Sequence, residues 1–172
     1  SHNRDFELHL CGAVTAAGMG PLEALENVFF HGEIPYSEVP GFLQAMDVLI
    51  IPFQIVPIIQ ACDPVKFYEY AAMGKPTVTT PLPELARASN LIFQAETPLE
   101  FAEQIRVAAE KGQDPDFCQQ LKTYASENTW QHRGAQLIAV LESAPQVSVV
   151  ILAYGDPQLT QAALHSLYEG GA

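Results

Sequence analysis

Apolar and polar positions along the chain alternate between two kinds of run. Phe6–Val14 is apolar-rich and passes into a small-residue, glycine-containing stretch, and Asn27–Gly32 (NVFFHG) has the length and content of a short strand. Pro35–Met46 predicts a helix, with Pro40 tolerable only near its start. Asp47–Phe53 (DVLIIPF) is a short apolar run closed by proline, as expected of a strand buried on both faces. Asp63–Met73 predicts a helix, Thr77–Thr80 a strand and Asn90–Gln94 another. Glu100–Lys111 places Phe101, Ile105 and Ala108 or Ala109 on one helical face, and helices follow near Asp116–Ser126 and Thr129–Ser143. Such alternation predicts an α/β fold, a Rossmann-like parallel sheet with helices on both faces.

After Ala144-Pro145-Gln146 the pattern restarts. Val147–Ala153 (VSVVILA) is a second buried-strand signal, Asp156-Pro157 suits a helix N-cap and first turn, and Gln158–Tyr168 suits the helix. Residues 145–172 are too few to bury a core of their own. The expected organisation is therefore a domain over 1–144 and the first strand and helix of a second, truncated domain over 145–172.

Composition narrows the function. The 172 residues are 48% hydrophobic and carry 8 basic against 20 acidic side chains, a net charge of −12. That balance speaks against nucleic acid and against a polybasic lipid contact. No apolar run is long enough to cross a bilayer, and a cytoplasmic location is expected, with a membrane-peripheral parent as an alternative. The three cysteines, Cys11, Cys62 and Cys118, form no metal-binding spacing and are expected as small buried hydrophobes in a reducing compartment. No histidine has metal-ligand spacing with another His, Cys or carboxylate, so no metal site is expected. His31, near a strand end, is a weaker candidate for lining a cleft. Trp130 is expected to pack helices together.

The chemistry concentrates in Ala61–Pro81, ACDPVKFYEYAAMGKPTVTTP. Asp63 suits an N-cap and Pro64 the first helical position, which leaves the N–H groups of Val65 and Lys66 for an anion such as a phosphate. From Asp5 to Val65 there are eight acidic residues and no Lys or Arg, so Lys66 brings the first positive charge after Arg4 to that same helix start. Glu69, one turn on, suits either ribose hydroxyls or an ion pair with Lys66. Asp63 is open between capping the helix and touching ligand. Of Phe67, Tyr68 and Tyr70, two are expected in the core and one near a nucleotide base. Gly74 suits a left-handed helix end.

Pro64–Val78, PVKFYEYAAMGKPTV, resembles the P-x-K-x-x-E-Y-x-A-x-G-K-P-V-V stretch of GT-B glycosyltransferases of the group 1, nucleotide-sugar-dependent type. Leu8–Gly12, Asn27–Gly32, VPGFLQAMDVLIIPF at Val39–Phe53, and TPLEF at Thr97–Phe101 resemble that family's donor-domain segments in the same order, over residues 6–143. The resemblance implies the donor-binding half of such an enzyme. The position of Glu69 would hold the ribose, those of Val65 and Lys66 the diphosphate, and those of Ala61–Asp63 would approach the sugar. It implies no cofactor beyond the nucleoside diphosphate sugar as substrate, no metal, and no identifiable catalytic residue. Ala61 departs from the E-x7-E form of the motif, which leaves the donor sugar open. It also favours an alternative reading, a degenerate, non-catalytic nucleotide-sugar-binding or scaffold module.

By the same resemblance the acceptor domain and the first βα unit of the donor domain are not in the chain. A glycosyltransferase parent acting on a glycan or lipid-linked acceptor is implied, with this fragment inactive alone. Val147–Leu167 (VSVVILAYGDPQLTQAALHSL) resembles the opening of a GT-A, family-2-like glycosyltransferase, with Gly155 where Asn is usual and no Asp-x-Asp metal motif. An open sheet edge is expected to invite pairing, as a homodimer through that edge or through the C-terminal tail.

Overall fold

The structure, a computed structural model, describes residues 5–13, 20–143 and 157–169. It separates into two units, Ser1–Thr129 and Trp130–Ala172. The first unit is α/β, with five parallel strands: β1 (Leu8–Cys11), β2 (Val28–Gly32), β3 (Leu49–Ile51), β4 (Thr77–Thr79) and β5 (Ile92–Gln94). They form two sheets, β1 with β2 and β3-β4-β5, rather than one. The helices are α1 (Val39–Gln44), α2 (Pro57–Gln60), α3 (Val65–Ala72), α4 (Pro98–Lys111) and α5 (Pro115–Glu127).

The core lies in the three-stranded half. Ile51, Phe67, Leu82, Leu85, Leu121 and Phe117 bury one another, joining β3, α3, α5 and the 3-10 turn Pro83–Ala88. Helix α3 packs on α5 and on β3 and β4, while α4 packs on β4 and β5. Phe67 is fully buried, which contributes about 1.5–3 kcal/mol. The β4 residues are all buried, and Thr79 there satisfies its hydroxyl on the carbonyl of Thr80 at 2.9 Å.

Local chemistry explains the helix ends. At α4, Thr97 Oγ1 accepts from the Glu100 N–H at 3.2 Å while Glu100 accepts from the Thr97 N–H, a reciprocal capping box. At α5, Asp114 accepts from Asp116 and Phe117 N–H and pairs with Lys111. Those bonds hold its carboxyl below the usual range, the Lys111 bond first. At the end of α3, Gly74 has φ +69°; its N–H donates to Ala71 O at 2.8 Å and that of Lys75 to Tyr70 O at 3.1 Å.

Several expectations change. The helix expected over Pro35–Met46 opens as a 3-10 turn (Tyr36–Glu38), and α1 proper starts at Val39 with Pro40 in its first turn. The helix expected from Asp63 begins at Val65. Pro64 is its N-cap, held at ψ 106°, and Asp63 makes no cap bond. The cysteines are not buried: Cys11 is exposed and the other two are half-buried, all three as free thiols.

The second unit shows two helices, α6 (Trp130–Ser143) and α7 (Pro157–Glu169). Pro157 takes the first helical position, as expected. Trp130 is 77% exposed and no residue of α6 is buried. The boundary at 144–146 and the strand expected at Val147–Ala153 lie outside the described residues. Among the described residues no helix is long and apolar enough to cross a membrane.

Candidate functional site

The strands form two separate sheets, β1-β2 and β3-β4-β5. In open α/β sheets ligands bind at the carboxyl ends of the strands. A cleft of about 1550 Å³ is lined by residues along β1 and β3, from Asp5 and Asp47 before them to Gly12 and Pro52 after them. Gly12, following β1, and Pro52, following β3, line it together with Lys66, Glu69 and Tyr70 of α3. The loop leaving β3 leads into α3, so the start of that helix is delivered to the carboxyl-end side. A smaller depression of about 500 Å³, lined by Asn90, Asp116 and Tyr124 among others, shares no lining residue with this cleft.

The start of α3 is open. No side chain caps it. The Phe67 N–H turns back onto Pro64 O at 2.9 Å, while the Val65 and Lys66 N–H groups have no backbone partner among the described residues. The ion pair between Lys66 and Glu69, one of the two alternatives for Glu69, is absent from the salt bridges of the described residues. An exposed ammonium and a half-buried carboxylate therefore both line the cleft without neutralising each other. Of the four residues singled out in the sequence, Lys66 and Glu69 line the cleft, while Val65, beside Lys66 in the first turn of α3, is exposed and is not among the lining residues.

Asp63 is engaged elsewhere. Both its oxygens accept from Tyr68 Oη at 3.0 Å, and Oδ2 also takes Arg87 at 3.1 Å. Arg87 is shared with Glu84 at 3.5 Å. Burial, then the Asp63 hydrogen bond and charge, push the Tyr68 hydroxyl up to about 12. Burial, with the charge of Glu69 second, raises Tyr70. Of the three aromatics, Phe67 is in the core, Tyr70 packs against it and lines the cleft, and Tyr68 stacks on Tyr124 at 6.1 Å. Arg87 is the residue that sequence reasoning missed. Its only signal is that Lys66, Lys75 and Arg87 are the sole cations between Asp5 and Arg106. Ala61 is exposed at the end of α2 and carries no group toward a ligand.

His31 does not line the cleft; its ring nitrogen bonds that of His9 at 2.9 Å, beside Phe29 and Phe42. Among the described residues no cluster of three His, Cys, Asp or Glu could hold a metal ion.

The family model "Glycosyl transferases group 1" matches residues 1–111. This chain belongs to that family. Its first unit is thus a GT-B-type glycosyltransferase domain with a Rossmann-like parallel sheet. TuaH of Bacillus subtilis (strain 168), named as a teichuronic acid biosynthesis glycosyltransferase, is 26% identical over 110 residues, 62% of this chain and 28% of TuaH. HepE of Anabaena, crystallised with UDP, has a TM-score of 0.57 at 18% identity, over 82% of this chain and 42% of HepE. HepE with UDP and glucose gives 0.50 at 17%, over 80% and 40%. At such identities the likeness to HepE is one of fold. The chain spans less than half the length of these relatives.

Proposed function

We propose that residues 1–144 are the nucleotide-sugar-binding part of a glycosyltransferase that moves a sugar from a nucleoside diphosphate sugar to a glycan or lipid-linked acceptor. The observation that carries this is the uncapped start of α3, with Lys66 and Glu69 lining the cleft and no salt bridge between them among the described residues. The Val65 and Lys66 N–H groups and the Lys66 ammonium hold the diphosphate and stabilise it as it leaves with the bond electrons. Glu69 accepts from the ribose hydroxyls. Asp63, tied to Arg87 and Tyr68, positions the loop before α3 and does not contact the phosphates. The acceptor and the group that handles its proton belong to other parts of a longer protein, of which residues 145–172 begin a second glycosyltransferase module.

A second reading is favoured by Ala61, an exposed methyl where the family motif carries a carboxylate: a nucleotide-sugar-binding or scaffold module without transfer activity. Calorimetric titration with UDP, GDP and dTDP side by side tests the first reading. UDP leads because HepE was crystallised with it. Binding of one nucleotide, lost in Lys66→Ala, supports a donor site; no binding by any of the three, with the fold intact, removes it.

A further inference from the structure

We propose that Arg87 and Tyr68 are positioning residues for the donor site: together they hold the Asp63 carboxylate away from the start of α3, which keeps the Val65 and Lys66 N–H groups open to a phosphate. The proposal rests on the donor-site reading above and concerns how that site is kept open.

The reason begins in the sequence. Asp followed by Pro suits an N-cap and first helical position. With Asp63 as the cap, its side chain would accept from the second or third helical N–H, those of Val65 and Lys66. Cap and phosphate therefore compete for the same two donors, and the Asp63 carboxylate is a competitor tethered beside them.

In the structure that cap is not made. Pro64 stands at ψ 106°, outside the helical range, and α3 starts at Val65 without a side-chain cap. Two donors from separate elements take the carboxylate instead. Tyr68 Oη, on α3, lies 3.0 Å from both oxygens, and Arg87 Nη2, on the turn Pro83–Ala88, donates to Oδ2 at 3.1 Å. Both donors are braced. The Tyr68 ring stacks on Tyr124 of α5 and tilts against the buried Phe67. Arg87 also pairs with Glu84 at 3.5 Å, and Leu85 and Ala88 anchor its turn in the core. An exposed ion pair alone would hold little; the hydroxyl bonded to the same carboxylate makes it a clamp. Local preference and observed geometry thus disagree at one residue, and that residue adjoins the candidate site.

The test releases the clamp with Tyr68→Phe and Arg87→Gln together, which removes both donors and keeps the ring stack. In that background Asp63 is kept, changed to Asn, or changed to Ala. Asn caps a helix as well as Asp and Ala does not, while both remove the same charge. The readouts are amide hydrogen exchange at Val65 and Lys66 and calorimetric affinity for UDP. Release should slow exchange at one of the two amides by about 3- to 30-fold and weaken UDP by a similar factor. The Asp63→Asn form should keep the slowed amide and bind UDP less well than the Asp63→Ala form. The Asp63→Ala form should exchange as freely as the parent and recover UDP affinity to within about threefold, the remainder being the lost tie of the loop. Arg87→Gln alone should give the same changes in smaller measure.

Unchanged exchange at both amides on release would overturn the proposal. Equal recovery of UDP affinity with Asn and Ala would also overturn it, because charge alone would then explain the loss. Recovery with neither would overturn it too, leaving the clamp as a structural tie of the loop. The exchange arm uses no nucleotide. If the parent binds no UDP, the donor-site reading fails while exchange still decides where the Asp63 carboxylate goes.

Discussion

Replacing Gly74 by alanine tests how α3 is held at its C-terminal end. Gly74 sits at φ +69°, which disfavours any residue with a Cβ by about 1–2 kcal/mol. The added methyl would also lie 2.7 Å from Lys122 Cε and 3.3 Å from Cys118 O. Lys122 is exposed and can swing aside, but the Cys118 carbonyl is fixed within α5, so the contact adds about 1 kcal/mol. Alanine also stiffens the unfolded chain, which returns about 0.5–1 kcal/mol. The net expectation is a loss of about 1.5–2 kcal/mol in urea unfolding followed by circular dichroism. In a Lys122→Ala background the part due to the Lys122 contact disappears, and the loss should fall by a few tenths of a kcal/mol. A loss below about 0.5 kcal/mol in the parent background would refute the left-handed cap argument. An identical loss in both backgrounds would refute the Lys122 contact.

Phe67→Ala, at the centre of the buried cluster, should cost about 3–5 kcal/mol, measured by the same unfolding assay. Thr97→Ala removes half of the capping box at α4 and should cost about 1 kcal/mol, with the start of that helix fraying in hydrogen exchange. Tyr68, with its hydroxyl pushed up to about 12, should ionise well above the ordinary tyrosine range near pH ~10 in a near-ultraviolet titration. Because its folded value lies above the unfolded one, its stabilisation is complete below pH ~10 and is lost as pH rises toward ~12. Asp63→Asn should lower its pKa without restoring the ordinary value, since burial is the first cause. A titration unchanged by Asp63→Asn would remove the Tyr68–Asp63 bond from the account.

The strands were legible where local sequence suffices. DVLIIPF is apolar on both faces and closed by proline, and β3 lies within it; Gly74 carries its own turn chemistry. The start of α3 was misplaced because Asp63-Pro64 has the composition of a cap and first turn. What decides it is non-local: Arg87, 24 positions downstream, and Tyr68 draw the Asp63 carboxylate off the helix end. Helix α2 and the turn at Pro83–Ala88 are too short to show a period. The division into two sheets is invisible locally, because β1 and β3 look the same whether one edge is paired or both. Lys66 and Glu69 stand out in the sequence as candidates because they combine a helix start with a break in a run of acidic residues, and the structure places both on the cleft. Whether they paired with each other was open in the sequence, and the structure leaves them apart.

The central claim is that Glu69 holds a ribose. It is tested most directly by measuring the affinity of this chain for UDP and for its 2′-deoxy counterpart, in the parent protein and in Glu69→Ala. A hydrogen bond to a charged carboxylate contributes about 1.5–3 kcal/mol, so the parent should prefer the ribonucleotide by about 10- to 100-fold. The variant should bind both equally. The same preference in both proteins would show that another group reads the ribose and would contradict the account.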